Sequence, residues 1–168
     1  MGVTTDFPYV TMCQSALKNL KRAQQSEQDR FHNCMSAIMF SAFALEGYLN
    51  FLGETRASDW DEYERKRPKE KMNELGEVLG YTVDWGRRPL QSFGKAFFFR
   101  NFIAHSKTVS AEWGAEDFPP EQEWQTLANL KNAERIVEDT KSLIEELHEL
   151  AGLGEFPWFA SKSFSAGK

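Results

Sequence analysis

The sequence predicts an all-α protein, a helical bundle of four to five main helices in a single domain covering residues 1–168. Apolar residues recur at three- and four-residue spacing along most of the chain, which is the period of a helix. Proline and glycine stand at several starts and ends of these segments, and no strand, internal repeat or low-complexity segment is recognisable. With 41% hydrophobic residues, the chain can bury a sizeable core. We expect that core within residues 8–151, followed by an aromatic C-terminal tail at 152–168.

The first helix is predicted to begin at Asp6-Phe7-Pro8, because proline suits the first helical turn. Its apolar stripe consists of Val10, Cys13, Leu17 and Leu20. Near Glu27 a polar patch follows, at which the helix either breaks or runs on into the next apolar segment.

Residues 31–52 are predicted to form the central helix, because a helix that is apolar almost all round has to be covered on several sides. Its main stripe consists of Met35, Ile38, Met39, Ala42, Leu45, Leu49 and Leu52. Gly53 is assigned as its C-terminal cap. One acid, Glu46, lies inside this helix, and a carboxylate there is costly unless it is paired. We therefore expect a cation from another helix to meet Glu46.

The middle of the chain is predicted to be a charged connection followed by two helices. The connection covers residues 54–67 and includes a short helix around 60–66. Pro68 opens the next helix and Gly80 ends it. Its apolar positions are Met72, Leu75, Val78 and Leu79. Another helix follows the Arg-Arg-Pro segment at 87–89, again with proline in the first turn. Its two sides carry Leu90, Phe93, Phe97 and Ala104, and Phe98, Phe102 and His105.

The last long helix is predicted over residues 121–151, ended by Gly152 and Gly154. Its buried side consists of Leu127, Leu130, Val137, Ile144, Leu147 and Leu150. The tail beyond it carries too many aromatic residues for a linker, so we expect part of the tail to pack.

Composition and charge narrow the functional classes. No apolar run approaches the ~20 residues of a membrane span, and the N-terminus lacks a secretory signal, so we expect a cytoplasmic protein with no membrane partner. Cys13 and Cys34 are expected to be reduced and buried, and the histidines show no metal-ligand spacing, so no metal and no cofactor is predicted. Because the net charge is −5, binding of RNA requires a local basic patch. The candidates for that patch are Arg87, Arg88, Lys95, Arg100 and Lys107.

The most informative stretch is residues 97–107, an aromatic run interrupted by polar side chains suited to phosphate chemistry. Asn101 and His105 are one helical turn apart, and Arg100 lies about 100° from Asn101 and about 140° from His105 around the helix. A long guanidinium can cover that arc, so all three heads can reach one pocket. Histidine exchanges a proton near neutral pH, arginine grips a phosphate through two N–H groups, and asparagine donates a hydrogen bond or fixes the imidazole tautomer. Lys107 adds a further cation.

The spacing by itself leaves a structural interpretation open. An arginine four to six residues before a histidine is common enough by chance to decide nothing. In the structural interpretation, Arg100 pairs with Glu46, His105 is a satisfied histidine at a helix end, and these polar side chains serve stability alone.

The segment RNFIAH at 100–105 has the form Arg-Asn-x-x-x-His and resembles the Arg-x(4–6)-His signature of the HEPN family, in which a polar residue typically follows the arginine. The segment SAIMFSAFALEGYLNFLG at 36–53 is similar to the acid-bearing central helix of that family. The order of helices also fits, and the resemblance covers residues 8–151.

This resemblance implies a helical bundle that forms a homodimer in which two motifs face each other across a composite cleft. Many members are metal-independent endoribonucleases of toxin–antitoxin, phage-defence or RNA-processing systems, in which the 2′-hydroxyl of RNA is the nucleophile. Carried over to this chain, Arg100 and His105 are catalytic and Asn101 is the polar residue of the motif. Glu46 holds Arg100, and Lys107 is a supporting cation. RNA is then the substrate, and a toxin of this type has an antitoxin protein as a further partner.

Two further points belong to the resemblance. Some HEPN toxins carry, two positions after the histidine, a tyrosine that a partner nucleotidyltransferase modifies. Here that position is Lys107, so this form of regulation is not expected. The alternative function is a non-catalytic HEPN-like module that binds nucleotide, RNA or a protein, which the acidic charge and the aromatic tail favour.

Overall fold

The computed structural model describes residues 7–105, 121–154 and 156. Over these residues the chain forms helices and no strands, which confirms the all-α prediction. The helices are α1 (Pro8–Gln25), α2 (Arg30–Arg56), α3 (Trp60–Arg65), α4 (Pro68–Leu79), α5 (Leu90–Ala104), α6 (Glu123–Leu127) and α7 (Leu130–Leu150). Helices α3 and α6 have 6 and 5 residues, and each of the others has 12 or more.

Helix α2 is the central element, as predicted. It contacts α1, α3, α4, α5 and α7. Its fully buried residues come from much of its circumference and include Cys34, Ile38, Ala42, Leu45, Tyr48, Leu49 and Leu52. These side chains contribute to two clusters of buried residues, one on each half of the helix, so α2 joins the two halves of the core.

The length of α2 departs from the expectation that no apolar run approaches that of a membrane span. Its 27 residues are long and apolar enough to cross a bilayer by length and composition alone. Half of its most apolar 18-residue segment is buried by the rest of the chain, and the core helix of a helical bundle is buried in the same way.

The assignment of Gly53 as a helix cap is wrong, because α2 continues to Arg56. Gly53 is buried, and a Cβ at this position would lie 2.0 Å from Cε1 of Tyr63. The Tyr63 hydroxyl donates to the Leu49 carbonyl at 3.0 Å. Glycine at 53 therefore lets the ring of Tyr63 lie directly on the backbone of α2.

The boundaries of α4 agree with the sequence prediction. Pro68 occupies its first turn, and Gly80 follows its last residue with φ 71°, in the left-handed region that favours glycine. Met72 and Leu75 are fully buried, whereas Val78, from the same apolar pattern, is exposed.

The single helix predicted over residues 121–151 is in fact two helices, α6 and α7. The break lies at Ala128 and Asn129, where the Asn129 side chain accepts a hydrogen bond from the Asn132 N–H at 2.9 Å and so begins α7 as its N-cap. Leu150, which we expected to be buried, is 45% exposed. The expected end of the helix is confirmed, because Gly152 and Gly154 both have positive φ.

Part of the aromatic tail packs, as expected. Phe156 is buried, and its ring lies 5.9, 5.8 and 5.2 Å from the rings of Tyr9, Tyr48 and His148. The tail therefore connects α7 to the start of α1 and to the middle of α2. The rest of the aromatic tail, residues 157–168, lies outside the described residues.

Candidate functional site

Helix α5 buries one side and exposes the other. It packs against α2 and α7, while Trp124 of α6 stacks on Phe102 near its C-terminal end. The buried residues are Leu90, Ser92, Phe93, Ala96, Phe97 and Phe99. Phe98 is 41% exposed, and Ala104, which the sequence placed on the same side as Phe93 and Phe97, is exposed as well. The aromatic run is therefore divided between the core and an open face.

Glu46 of α2 meets a cation from another helix, as its position required. Nη2 of Arg100 donates to Oε2 of Glu46 at 2.5 Å. The two side chains are 25% and 28% exposed, so this ion pair lies at the edge of the core rather than inside it. Part of the guanidinium remains accessible to a ligand from solvent.

Asn101 is the second partner of Arg100. Nη1 of Arg100 donates to Oδ1 of Asn101 at 2.8 Å on the exposed side of α5. The guanidinium therefore bridges the Glu46 carboxylate and the Asn101 amide, and its orientation is held from both sides. The remaining N–H donors of the guanidinium are available to an anion.

His105 stands apart from this bridge. It is the residue that ends α5, and its backbone N–H donates to the Asn101 carbonyl at 3.0 Å. Its side chain is exposed and forms no hydrogen bond to any residue in the described ranges. The structure therefore brings Glu46, Arg100 and Asn101 together and leaves the imidazole one turn further along α5, open to solvent. Lys107 lies outside the described residues.

A groove of about 1400 Å³ runs along the exposed face of α5, and we call it the α5 groove. Arg100 and Asn101 line it, but His105 does not. Its other walls come from the first turns of α4 with Trp85, and from α6 with the start of α7. Its charged lining consists of Arg67, Lys69, Lys95 and Arg100, against Glu70 and Glu123. In a chain of net charge −5, this lining is locally positive.

Two of the cations expected in a basic patch line the α5 groove, namely Lys95 and Arg100. Arg87 instead pairs with Asp84, and Arg88 pairs with Asp139 of α7. The sequence also missed Lys69 and Trp85. Lys69 lies in the first turn of α4 and Trp85 lies six residues after its end, so their convergence depends on how the chain folds back after α4 and carries no signal in the sequence.

Lys71 is a further residue that the sequence analysis missed. It is 3% exposed, and its Nζ donates to Oδ1 of Asn50 at 2.6 Å. Burial lowers the pKa of Lys71, and the nearby carboxylates of Glu46 and Glu64 oppose that change. The Glu46 carboxylate thus lies in the field of two cations, Arg100 and Lys71. The position of Lys71 next to Met72 and one turn before Leu75, on the apolar side of α4, was the available signal.

The cysteines behave as the sequence predicted for buried small side chains. Cys13 and Cys34 are both buried and free. Burial raises the pKa of the Cys13 thiol to about 12, so the thiol is protonated near neutral pH and is a poor nucleophile. Within the described part of the chain, no group of three or more histidine, cysteine, aspartate and glutamate residues is placed to hold a metal ion.

Comparisons of the chain with protein-family models, with curated proteins and with solved structures find no match. The site is therefore interpreted from its own geometry and chemistry.

Proposed function

We propose that this protein is a HEPN-like, metal-independent endoribonuclease that acts as a homodimer. The observation that carries the proposal is the bridge from Glu46 through Arg100 to Asn101, on an exposed helix face beside a locally positive groove. His105 follows Asn101 by one turn, also exposed. An arginine held by a carboxylate and still open to solvent is suited to bind a phosphate, and an exposed imidazole close by is suited to move its proton.

In the proposed reaction the histidine is the acid–base group. The imidazole of His105 takes the proton of an RNA 2′-hydroxyl as the 2′-oxygen attacks the adjacent phosphorus. A bond from the 2′-oxygen to phosphorus forms, the bond from phosphorus to the 5′-oxygen breaks, and the departing 5′-oxygen receives a proton. The products are a 2′,3′-cyclic phosphate and a 5′-hydroxyl. In a homodimer, one copy of His105 serves as the base and the other copy as the acid.

The arginine stabilises the charge that develops on the phosphate. Arg100 contributes its remaining N–H donors to the phosphate oxygens, which carry more negative charge in the transition state than in the substrate. Glu46 positions Arg100 without removing its charge, and Asn101 positions it from the open side. Lys107 is proposed as a supporting cation.

The test is digestion of unstructured RNA in excess EDTA. The wild-type protein is expected to cleave it, while His105→Ala lowers the rate by roughly 10²-fold or more, the usual contribution of acid–base catalysis. Arg100→Ala is expected to lower the rate as strongly. Arg100→Lys should remain folded, because it keeps a positive partner for Glu46, yet still lose activity because lysine lacks the planar fork.

The matched controls are His32→Ala and Arg65→Ala, since both side chains are exposed and lie outside the groove lining. These two variants should cleave like the wild type. Full activity of His105→Ala would end the proposed mechanism, and loss of wild-type activity in EDTA would end its metal independence.

One observation favours a second candidate, a non-catalytic module that binds nucleotide, RNA or a protein such as an antitoxin. Two N–H groups of Arg100 already donate to Glu46 and Asn101, and the protein as a whole is acidic. This candidate predicts no RNA cleavage under any condition and a stable complex in affinity purification.

The proposed setting is the cytoplasm, in toxin–antitoxin, phage-defence or RNA-processing systems. If expression of the wild-type protein arrests growth and expression of His105→Ala does not, the result would favour a role as a toxin.

A further inference from the structure

The exposed face of α5 is continuous from the start of the helix to the motif. Gln91, Lys95, Phe98, Asn101 and His105 recur at three- and four-residue spacing and are all exposed. At ~1.5 Å per residue, this row is about 21 Å long. The α5 groove follows the row as far as Asn101, so it leads directly to the proposed catalytic end of the helix.

Gly94 lies in the middle of this face without a packing reason in the described part of the chain. It is exposed and helical, and a Cβ added to it would meet none of the described atoms within 4 Å. Glycine inside a helix costs about 0.5–1 kcal/mol relative to alanine. Glycine is also the residue that allows a ligand to approach the backbone closely. Among the described residues, Gly94 therefore leaves room for a ligand to lie against the backbone of α5.

The chemistry of the α5 groove indicates what that ligand is. Lys69 and Lys95 form no ion pair with any residue whose position is described, so both are available to an anion. Phe98 presents an open ring, and Trp85 lies beside Lys69, whose Nζ is 4.8 Å from the centre of its ring. Unpaired cations alternating with aromatic rings are how proteins hold single-stranded nucleic acid, because phosphates meet the cations and bases stack on the rings.

A second copy of the chain fits the groove less well. In a two-fold contact the same surface meets itself, so the net positive lining of one groove would face the net positive lining of the other. The lining has four cations and two carboxylates, and such like-charge contact is unfavourable. A polyanion is complementary to the same lining.

We infer that the α5 groove binds single-stranded RNA and guides it to the motif, with Gly94 allowing the strand to lie against the helix and Phe98 stacking on a base. Lys95 and Lys69 contact phosphates of the strand. The inference rests on the proposed function for the cleavage step, whereas binding itself does not require cleavage.

The first experiment measures the affinity of a fluorescently labelled, unstructured RNA by anisotropy, in the His105→Ala protein so that the strand stays intact. Adding Gly94→Gln should weaken binding at least about fivefold, because the new side chain occupies the path of the strand. The same change should raise the melting temperature, since glutamine is the better helix former. If Gly94 served only the structure of the helix, Gly94→Gln would not weaken RNA binding while raising the melting temperature.

Further variants separate the contacts. Phe98→Ala should weaken binding about fivefold or more, as loss of one stacked base does. Lys95→Gln should weaken binding and reduce its salt dependence, whereas the matched Lys18→Gln on the exposed side of α1 should do neither. A duplex of the same sequence should bind more weakly than the single strand, because its bases are not free to stack on Phe98.

Unchanged affinity in Gly94→Gln overturns the inference, as does absence of RNA binding by the His105→Ala protein. A shift from dimer to monomer in Gly94→Gln with unchanged RNA affinity also overturns it and makes this face a contact between copies.

The two proposals can fail separately. If the wild type does not cleave RNA and Gly94→Gln weakens RNA binding, the proposal of a nuclease is wrong and the proposal that the α5 groove binds RNA is retained. If the wild type cleaves RNA and Gly94→Gln binds RNA as well as the parent protein, the proposal that the α5 groove binds RNA is wrong and the proposal of a nuclease is retained.

Discussion

At the scale of single residues, Glu46 is the side chain on which the site depends. Its carboxylate accepts a hydrogen bond from Arg100 of α5, and the buried Lys71 of α4 lies close enough for its charge to be felt. Charged side chains of three helices thus influence one another around Glu46. Because the ion pair is about one-quarter exposed, solvent screens it, and its contribution to stability lies between that of a surface pair and that of a buried pair.

We expect Glu46→Gln to destabilise the fold by about 1–2 kcal/mol. The amide keeps the size of the side chain but no longer offsets the charge of Arg100 or the burial of Lys71. Urea unfolding of both proteins measures the difference. Glu77→Gln, which changes an exposed carboxylate of α4, is the control and should be nearly neutral. Equal stability of the two variants would show that the charge of Glu46 does not contribute to the free energy of unfolding.

How much of the site is predictable differs from residue to residue. The need of Glu46 for a cation follows from an acid in an apolar helix, and Arg100 was the expected partner. Lys71 was not predicted, because a lysine in an amphipathic helix is usually at the surface. Lys95 lies five residues before Arg100, about 140° away around the helix, yet both side chains line the α5 groove because each is long enough to reach it.

At the scale of helices, two glycines in helix interiors have opposite surroundings. Gly53 of α2 lies under the ring of Tyr63, whereas Gly94 of α5 faces open space among the described residues. Glycine lowers the stability of any helix, so each requires an explanation of its own. For Gly53 the explanation is the position of α3, since Tyr63 is its buried residue.

We predict that alanine acts in opposite directions at these two positions. Gly94→Ala should stabilise the protein by about 0.5–1 kcal/mol, because it removes the backbone entropy cost of glycine without a clash. Gly53→Ala should destabilise it by about 1–3 kcal/mol, because its Cβ overlaps the Tyr63 ring and α3 has to move. Chemical denaturation of both variants in parallel measures this. Stabilisation by Gly53→Ala would mean that Tyr63 does not lie on α2.

Pro68 and Gly80 correctly mark the ends of α4, whereas Gly53 suggested an end that α2 does not have. The break before α7 was not predictable in the same way. Leu127 and Leu130 are three residues apart, so the apolar period runs across the break without interruption. Asn129 suits both a solvent-facing helix position and an N-cap, and only its hydrogen bond to Asn132 decides between them.

At the scale of the whole molecule, an aromatic cluster joins distant parts of the chain. The rings of Tyr48 of α2 and Phe156 of the tail contact each other, and each also contacts the rings of Tyr9 of α1 and His148 of α7. The Tyr48 hydroxyl lies 3.0 Å from Nδ1 of His148. Burial lowers the pKa of His148, so the fold favours its neutral form.

We expect stability to fall as the pH drops below about 6.5, the ordinary pKa of histidine. Below that pH the unfolded chain takes up a proton at His148 that the folded chain resists, so the free energy of unfolding decreases until the lowered pKa is reached. His148→Gln should weaken this dependence between about pH 7 and 5, measured by urea unfolding. His32→Gln, at an exposed position, should leave it unchanged. A pH dependence that survives His148→Gln would assign it to other groups.

The all-α class, the central helix and the packing of part of the tail were predictable, because each follows from the local spacing of apolar residues or from an aromatic count. The way the helices meet was not. Phe97 and Phe98 are adjacent in the sequence, yet one is buried and the other open, because α2 and α7 cover only one side of α5.

The aromatic cluster also orders events during synthesis. Tyr9 and Tyr48 leave the ribosome before the side chains that cover them, since His148 follows Tyr48 by 100 residues and Phe156 comes later still. The rings of the first two helices therefore stay uncovered until residues 148 and 156 have been synthesised. A nascent chain stalled before residue 148 exposes these aromatic rings as a hydrophobic surface of the kind that chaperones bind.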